Sequence, residues 1–168
     1  MTLVTTPGAA NADAYVDVAG VTAVEATRSQ PTTWLTLSLD QQERAIRAAT
    51  VTLDRLAWRG EPVTNTQALA WPRWDTQDRT GAFLASDVIP PEVAKATATL
   101  ALWIAEQSDD AMLPDETAGL SSLSLGAGVS FAFRDGRQQS PLHHAVHSLV
   151  VPLVSHLLWA SGVRTVRA

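Results

Sequence analysis

Cysteine is absent from this chain of 168 residues. Without it the protein has no disulfide framework, no thiolate metal site and no cysteine nucleophile. Long apolar runs are missing as well, since no stretch reaches the roughly 18 residues that a membrane-spanning helix needs. The first twelve residues lack the basic flank and the sustained apolar core of a signal peptide. We therefore expect a soluble globular protein that is made inside the cell.

Basic residues are also scarce. Lys and Arg number 12 against 17 Asp and Glu, which gives a formal net charge of −5 at pH 7. A protein that grips nucleic acid over a broad surface needs clustered cations, and this balance argues against one. A chain of this length buries roughly two-thirds of its unfolded surface. We expect one domain over residues 1–168, with an extended N-terminal arm at 1–12 and a C-terminal arm at 163–168.

Two helices are predicted in the first third of the chain. Asp17 is suited to cap a first helix that runs to about Ser29. Ser38 and Gln41 have the spacing of a capping box, in which each residue satisfies a backbone N–H of the other. Apolar residues then recur at helical spacing until Gly60 stops this second helix.

The second half of the chain predicts two more helices and a hairpin. Pro91 stands at the first turn of a third helix, where its missing N–H costs nothing. Residues 123–133 alternate apolar with small or polar side chains around two glycines, which is typical of a β-hairpin. A final helix is predicted from Ser140 to Gly162, kinked or split by Pro152. The predicted fold class is mainly α, a small bundle of about four helices with one inserted hairpin and a long ordered loop.

That long loop contains the most informative cluster, the tetrapeptide Trp71-Pro72-Arg73-Trp74. Residues 61–89 show no periodicity, and a run of that length inside a compact domain is usually functional or disordered. Two indoles and a guanidinium argue against disorder. They are suited to stack on bases or to dock a partner chain, or equally to cover the chain's own core. Both alternatives stay open at this point.

The sequence contains no convincing catalytic or cofactor-binding motif. His143 and His147 share a helix face beside His144, but no carboxylate follows in the order of a zinc protease, so surface or interface histidines are the better interpretation. A hydrolase using them is a remote alternative, because no Gly-x-Ser-x-Gly elbow is present. The glycines at 126 and 128 suit a hairpin turn rather than a phosphate loop. We expect no enzyme activity, no metal and no cofactor.

Four stretches together resemble a known group. They are Asn11 to Val18, with its Ala-Tyr-Val core; Ala48 to Gly60, with Leu53-Asp54-Arg55-Leu56 and Trp58-Arg59-Gly60; Leu69-Ala70-Trp71-Pro72-Arg73; and Ile89-Pro90-Pro91-Glu92-Val93. In this order they resemble the head–tail connector (adaptor) proteins of tailed phages, a group also labelled DnaT-like ssDNA-binding proteins. The resemblance covers nearly the whole chain.

The resemblance implies a structural virion protein of the phage neck. Such a protein forms a ring with itself, usually of twelve copies, assembled in the host cytoplasm. The ring joins the portal protein to the stopper, the tail terminator or other tail proteins, around a channel that double-stranded DNA crosses without specific binding, and no membrane is involved. A closed ring needs heterologous interfaces, in which one face of a subunit matches a different face of its neighbour.

From composition and resemblance together we predict three groups of site residues. The subunit or partner interface comprises Trp71, Pro72, Arg73, Trp74, Phe131 and Phe133. The portal-facing arm carries Arg164 and Arg167. The acidic residues that would line a channel without holding DNA are Asp109, Asp110, Asp115 and Glu116.

The alternative function is single-stranded DNA binding. It requires a positively charged groove with stacking aromatic side chains. Trp71, Arg73, Trp74 and Arg79 supply a small patch of that kind, although the chain as a whole is acidic.

Overall fold

The structure, a computed structural model, describes residues 2–107, 122–125, 129–132 and 145–158. The hairpin strands at 122–125 and 129–132 are described by their backbone alone. The predicted fold class is confirmed: the chain is mainly helical and carries one antiparallel hairpin. Within the described ranges, no helix combines the length and the apolar character needed to cross a membrane.

Helix α1 spans Val18–Glu25 and begins as predicted, because the Asp17 carboxylate accepts the Gly20 N–H at 2.7 Å. It ends at Glu25, before the predicted Ser29. There the backbone tightens, with the Arg28 N–H donating to the Glu25 carbonyl at 3.0 Å, and the Glu25 side chain accepts the Thr32 N–H. The correction has a local cause: a side chain that captures a later backbone N–H turns the chain away from the helix axis.

Helix α2 spans Leu39–Asp54 and follows a short 3₁₀ turn, Trp34–Thr36. The predicted capping box is confirmed, since the Ser38 hydroxyl accepts the Gln41 N–H at 3.4 Å and the Gln41 side chain accepts the Ser38 N–H at 3.0 Å. The helix buries Ile46, Ala49 and Leu53 completely. This apolar stripe faces the centre of the molecule.

Helix α3 spans Pro91–Glu106 and is the central element, packing against α1, α2 and the C-terminal segment. Pro91 occupies its first turn as predicted. Val93, Ala96 and Leu100 are fully buried. Its alanines let the neighbouring helices approach closely, so the core lies around this one helix.

The C-terminal segment, residues 145–158, is helical but irregular. It consists of a π turn at Val146–Val150, a short helix α4 at Val151–Val154 and a 3₁₀ turn at Ser155–Leu157. The predicted break at Pro152 is therefore present, and its cause is that proline cannot donate the hydrogen bond a regular helix needs. The predicted helix does not continue to Gly162: Leu158 is extended and bridges to Trp58.

The predicted hairpin is confirmed. Strand β3 spans Ser122–Leu125 and strand β4 spans Val129–Ala132, and they pair antiparallel. Two shorter strands lie earlier in the chain, β1 at Glu61–Pro62 and β2 at Arg73–Trp74. Numbered in chain order these are the first two strands, and their pairing closes the loop that holds the Trp-Pro-Arg motif.

Candidate functional site

The loop that holds the motif is closed at its base by the two short strands. Glu61 lies opposite Trp74, and Pro62 lies opposite Arg73. The N-terminal residues, predicted as an arm, are bonded to the same region, since the Ala9 carbonyl accepts the Ala68 N–H at 3.2 Å. Residues 61–89 thus form an ordered loop without a helix, held by many backbone hydrogen bonds.

Trp71 and Pro72 lie inside the chain's own core. Trp71 is 1% exposed, and its indole meets that of Trp58 edge to face with the ring centroids 5.5 Å apart. Pro72 is buried beside it, and the peptide bond that joins the two is cis. The Trp58 indole N–H in turn donates to the Leu53 carbonyl at the end of α2, at 3.0 Å. The two tryptophans fasten the loop to α2.

A buried hydrogen-bond network holds the backbone of the motif. The Asp54 carboxylate accepts the Ala70 N–H at 2.6 Å and the Tyr15 hydroxyl, and that hydroxyl accepts the Trp71 N–H at 3.3 Å. Burial, followed by the hydrogen bond to Asp54, raises the pKa of Tyr15 well above its ordinary value. Tyr15 therefore stays neutral and acts as a fixed donor, joining the N-terminal region, α2 and the motif.

The Arg73 guanidinium is occupied by backbone carbonyls. It donates to Arg59 O at 2.7 Å, to Gly60 O at 2.6 Å and to Ala70 O at 3.0 Å. Burial lowers the pKa of Arg73. Three of its five N–H groups have backbone partners, so this arginine closes the turn that precedes β1 and has few donors left for a phosphate.

Only the last residue of the tetrapeptide is largely at the surface. Trp74 is 54% exposed. Phe83, on the returning arm of a tight loop, is 70% exposed and lies opposite Gln77. The Asp78 carboxylate shapes that loop by accepting the N–H groups of Thr80 and Ala82. We name Trp74 and Phe83 the exposed aromatic pair.

Several arginines of the described residues are engaged within the chain. Arg79 donates to the carbonyls of Pro152 and Leu153 at 2.9 and 3.1 Å. On α2, Arg44 pairs with Asp40 at 2.7 Å, and Arg47 pairs with Asp13 at 2.8 Å and with Glu43 at 3.3 Å. Arg55 and Arg59, by contrast, are exposed and make no side-chain hydrogen bond or ion pair within the described ranges, so these two guanidinium groups stay open to a polyanion.

The predicted site residues are thus divided. Trp71, Pro72 and Arg73, predicted at an interface, lie in or against the core, so the chain's own contacts account for them and Trp74 remains the surface member. Phe131 lies on β4, where only its backbone is described. The remaining predicted residues lie outside the described residues: Phe133, Arg164, Arg167, Asp109, Asp110, Asp115, Glu116, His143 and His144.

Two features of the site escaped the sequence analysis. One is the pairing of Tyr15 with Asp54. Both residues belong to stretches that resemble the connector group, but the resemblance does not show that they contact each other, because they lie far apart in the chain. Phe83 had no signal, because it lies in the aperiodic loop. Across the part of the chain that the structure describes, no group of three or more His, Asp or Glu side chains is placed to hold a metal ion.

Comparison with known proteins gives one match. Residues 1–168 match the family described as “Putative DnaT-like ssDNA binding protein”. The chain belongs to this family. No curated protein and no solved structure matches it. In this chain, the geometry shows that the Trp-Pro-Arg motif has a structural use: it fastens the loop to the chain's own core.

Removing the Tyr15 hydroxyl tests that structural use. Tyr15→Phe is expected to lower the free energy of unfolding by about 1–3 kcal/mol, because the Asp54 carboxylate and the Trp71 N–H both lose a partner. The measurement is urea unfolding followed by circular dichroism. In a double-mutant cycle with Asp54→Asn, the two changes should be non-additive. Additive losses would contradict the network.

Proposed function

We propose that this protein is a non-catalytic structural subunit of a tailed-phage neck, forming a ring between the portal and the tail. The proposal rests on the contrast between the buried and the exposed aromatic side chains of the loop. The buried members of the tetrapeptide and Arg73 build the subunit, whereas Trp74 and Phe83 present exposed aromatic rings. Large aromatic side chains at a surface are typical of the centres of protein interfaces.

The hairpin supports the same proposal. Its register pairs Leu123 with Phe131 and Leu125 with Val129. In the sequence, these four apolar residues alternate with serines and Ala132. A two-stranded hairpin is marginally stable alone. A hairpin of this composition is suited to gain stability by contact with a neighbouring subunit or a tail protein.

The charge distribution is compatible with a channel through which DNA slides. The chain carries a net charge of −5, and the arginines of the described surface largely have intramolecular partners. A wall of net negative charge does not retain the phosphate backbone. We include the acidic residues at 109–116 in the proposal as channel residues on charge alone.

Single-stranded DNA binding is the second candidate, and the family description favours it over the first. In the structure, the exposed aromatic pair offers two rings on which bases stack. Stacking on aromatic side chains contributes about 1–3 kcal/mol per base. The buried Trp71 and the occupied Arg73 leave the predicted binding patch smaller than the sequence suggested.

One pair of measurements separates the candidates. The first is a titration of the chain against a labelled single-stranded thymidine oligonucleotide at low and at physiological salt, read by fluorescence anisotropy. The second is negative-stain microscopy of the chain mixed with the portal protein of the same phage. A connector should give twelve-fold density on the portal and no salt-dependent oligonucleotide binding.

Matched variants sharpen the comparison. Trp74→Ala should weaken ring assembly on the portal, whereas Leu35→Ala, which removes an exposed apolar side chain from a different element, should not. Truncation after Gly162 should weaken portal attachment through loss of Arg164 and Arg167. Tight oligonucleotide binding that is lost in Trp74→Ala, without portal binding, would overturn the connector proposal in favour of the second candidate.

A further inference from the structure

The C-terminal segment (residues 145–158) is held to the rest of the chain partly by hydrogen bonds to its backbone. The Arg79 guanidinium donates to the carbonyls of Pro152 and Leu153 at 2.9 and 3.1 Å. The Arg59 N–H donates to the Leu157 carbonyl at 2.8 Å, and Trp58 bridges to Leu158. Arg79 caps carbonyls at the end of a helical segment, where a cation is favoured. We name these contacts the Arg79 latch.

His156 lies in the middle of this latch. Both of its ring nitrogens are buried, and neither has a hydrogen-bond partner among the residues that the structure describes. Among the residues that the structure describes, four charged groups act on its charge: Arg79 and Asp78 from the loop, Arg59 from the segment after α2, and Glu92 from α3. Asp78 is already engaged, since its carboxylate accepts from the hydroxyl and N–H of Thr80 and from the N–H of Ala82.

We propose that His156 is an acid-sensitive release for the C-terminal segment. A neutral imidazole is tolerated at this position. A protonated one carries two N–H donors that need partners and a positive charge beside the Arg79 guanidinium. Movement of the segment away from the body relieves both costs. The latch is therefore closed while His156 is neutral and weakened when it is charged.

The electrostatics agree in sign with this geometry. Burial, followed by the Arg79 charge, lowers the pKa of His156; Glu92 and Asp78 act in the opposite direction, and Arg59 makes the smallest contribution, which lowers it. The undocked state then binds more protons than the docked state between the lowered pKa and the ordinary value of about 6.5. Docking is strongest above that value and is lost progressively as the pH falls below it.

Hydrogen–deuterium exchange of the full-length chain tests the release. After correction for the intrinsic pH dependence of exchange, peptides from 145–158 should exchange several-fold faster at pH 5.5 than at pH 7.5, while peptides from α2 (residues 39–54) should not change. His156→Gln should abolish the response, and His143→Gln should leave it intact. Arg79→Gln should loosen the segment at both pH values.

Several results would overturn the proposal. These are exchange of 145–158 that is independent of pH, a response that persists in His156→Gln, and a segment that stays protected in Arg79→Gln. Should His156→Gln fail to fold, an NMR titration of the wild-type imidazole still decides. A midpoint below 6.5 supports the release, and a midpoint at or above 6.5 contradicts it.

Discussion

Trp71→Ala is expected to lower the free energy of unfolding by about 3–5 kcal/mol, the usual cost of deleting a large buried aromatic side chain. The indole is 1% exposed and packs edge to face on Trp58. Its removal leaves a cavity between the motif and the end of α2. Urea unfolding measured by circular dichroism provides the free energy, and an unchanged m-value shows that the two-state analysis holds.

The matched control lies three positions further along the same motif. Trp74 is 54% exposed, so Trp74→Ala should change stability by no more than about 0.5 kcal/mol. The same variant should weaken association with a partner. If Trp74→Ala were as destabilising as Trp71→Ala, the distinction between the buried Trp71 and the exposed Trp74 would be wrong.

This contrast bears on how the Trp-Pro-Arg motif is interpreted. The family description names single-stranded DNA binding, and a Trp-Pro-Arg motif invites the conclusion that it contacts DNA. The structure assigns Trp71 to the core and Arg73 to three carbonyls of its own chain. In this chain the motif therefore fixes the loop, and we propose that the residues displayed by the fixed loop, Trp74 among them, contact the ligand or partner.

Local features of the fold were predictable from the sequence. The capping box of Ser38 and Gln41 involves only residues within one helical turn of each other, and the proline at the start of α3 acts within the first turn of its own helix. Each encodes its own structure, so no tertiary information is needed. The hairpin was predictable for the same reason, since alternation and a glycine turn define it locally.

Tertiary features of the site were not predictable. In the sequence Arg73 looks like a free cation, because the carbonyls of Arg59 and Gly60 that accept its hydrogen bonds reach it only in the folded chain. In the sequence Asp54 looks like a surface charge of α2, whereas in the folded chain its carboxylate accepts hydrogen bonds from the Tyr15 hydroxyl and the Ala70 N–H. Composition indicates how many charges exist, but only the folded chain shows which of them already have partners.

Gly60→Ala is expected to lower the free energy of unfolding by about 3–5 kcal/mol. Gly60 has a φ of +70°, and a Cβ built there would lie 2.0 Å from the Trp74 carbonyl oxygen. That close approach to backbone cannot be relieved by a side-chain rotation. Because Gly60 also supplies a carbonyl to Arg73, the variant should separate β1 from β2 and loosen the whole motif.

Gly81 provides the control, since its φ of +88° imposes a similar backbone strain but a Cβ there meets nothing within 4 Å. Gly81→Ala should therefore cost only about 1–2 kcal/mol, the price of the left-handed conformation alone. The difference between the two variants, measured by urea unfolding, isolates the contact between Gly60 and Trp74. Equal losses would show that the strands do not approach as closely as the geometry requires, and the fixed loop that presents Trp74 would lose its physical basis.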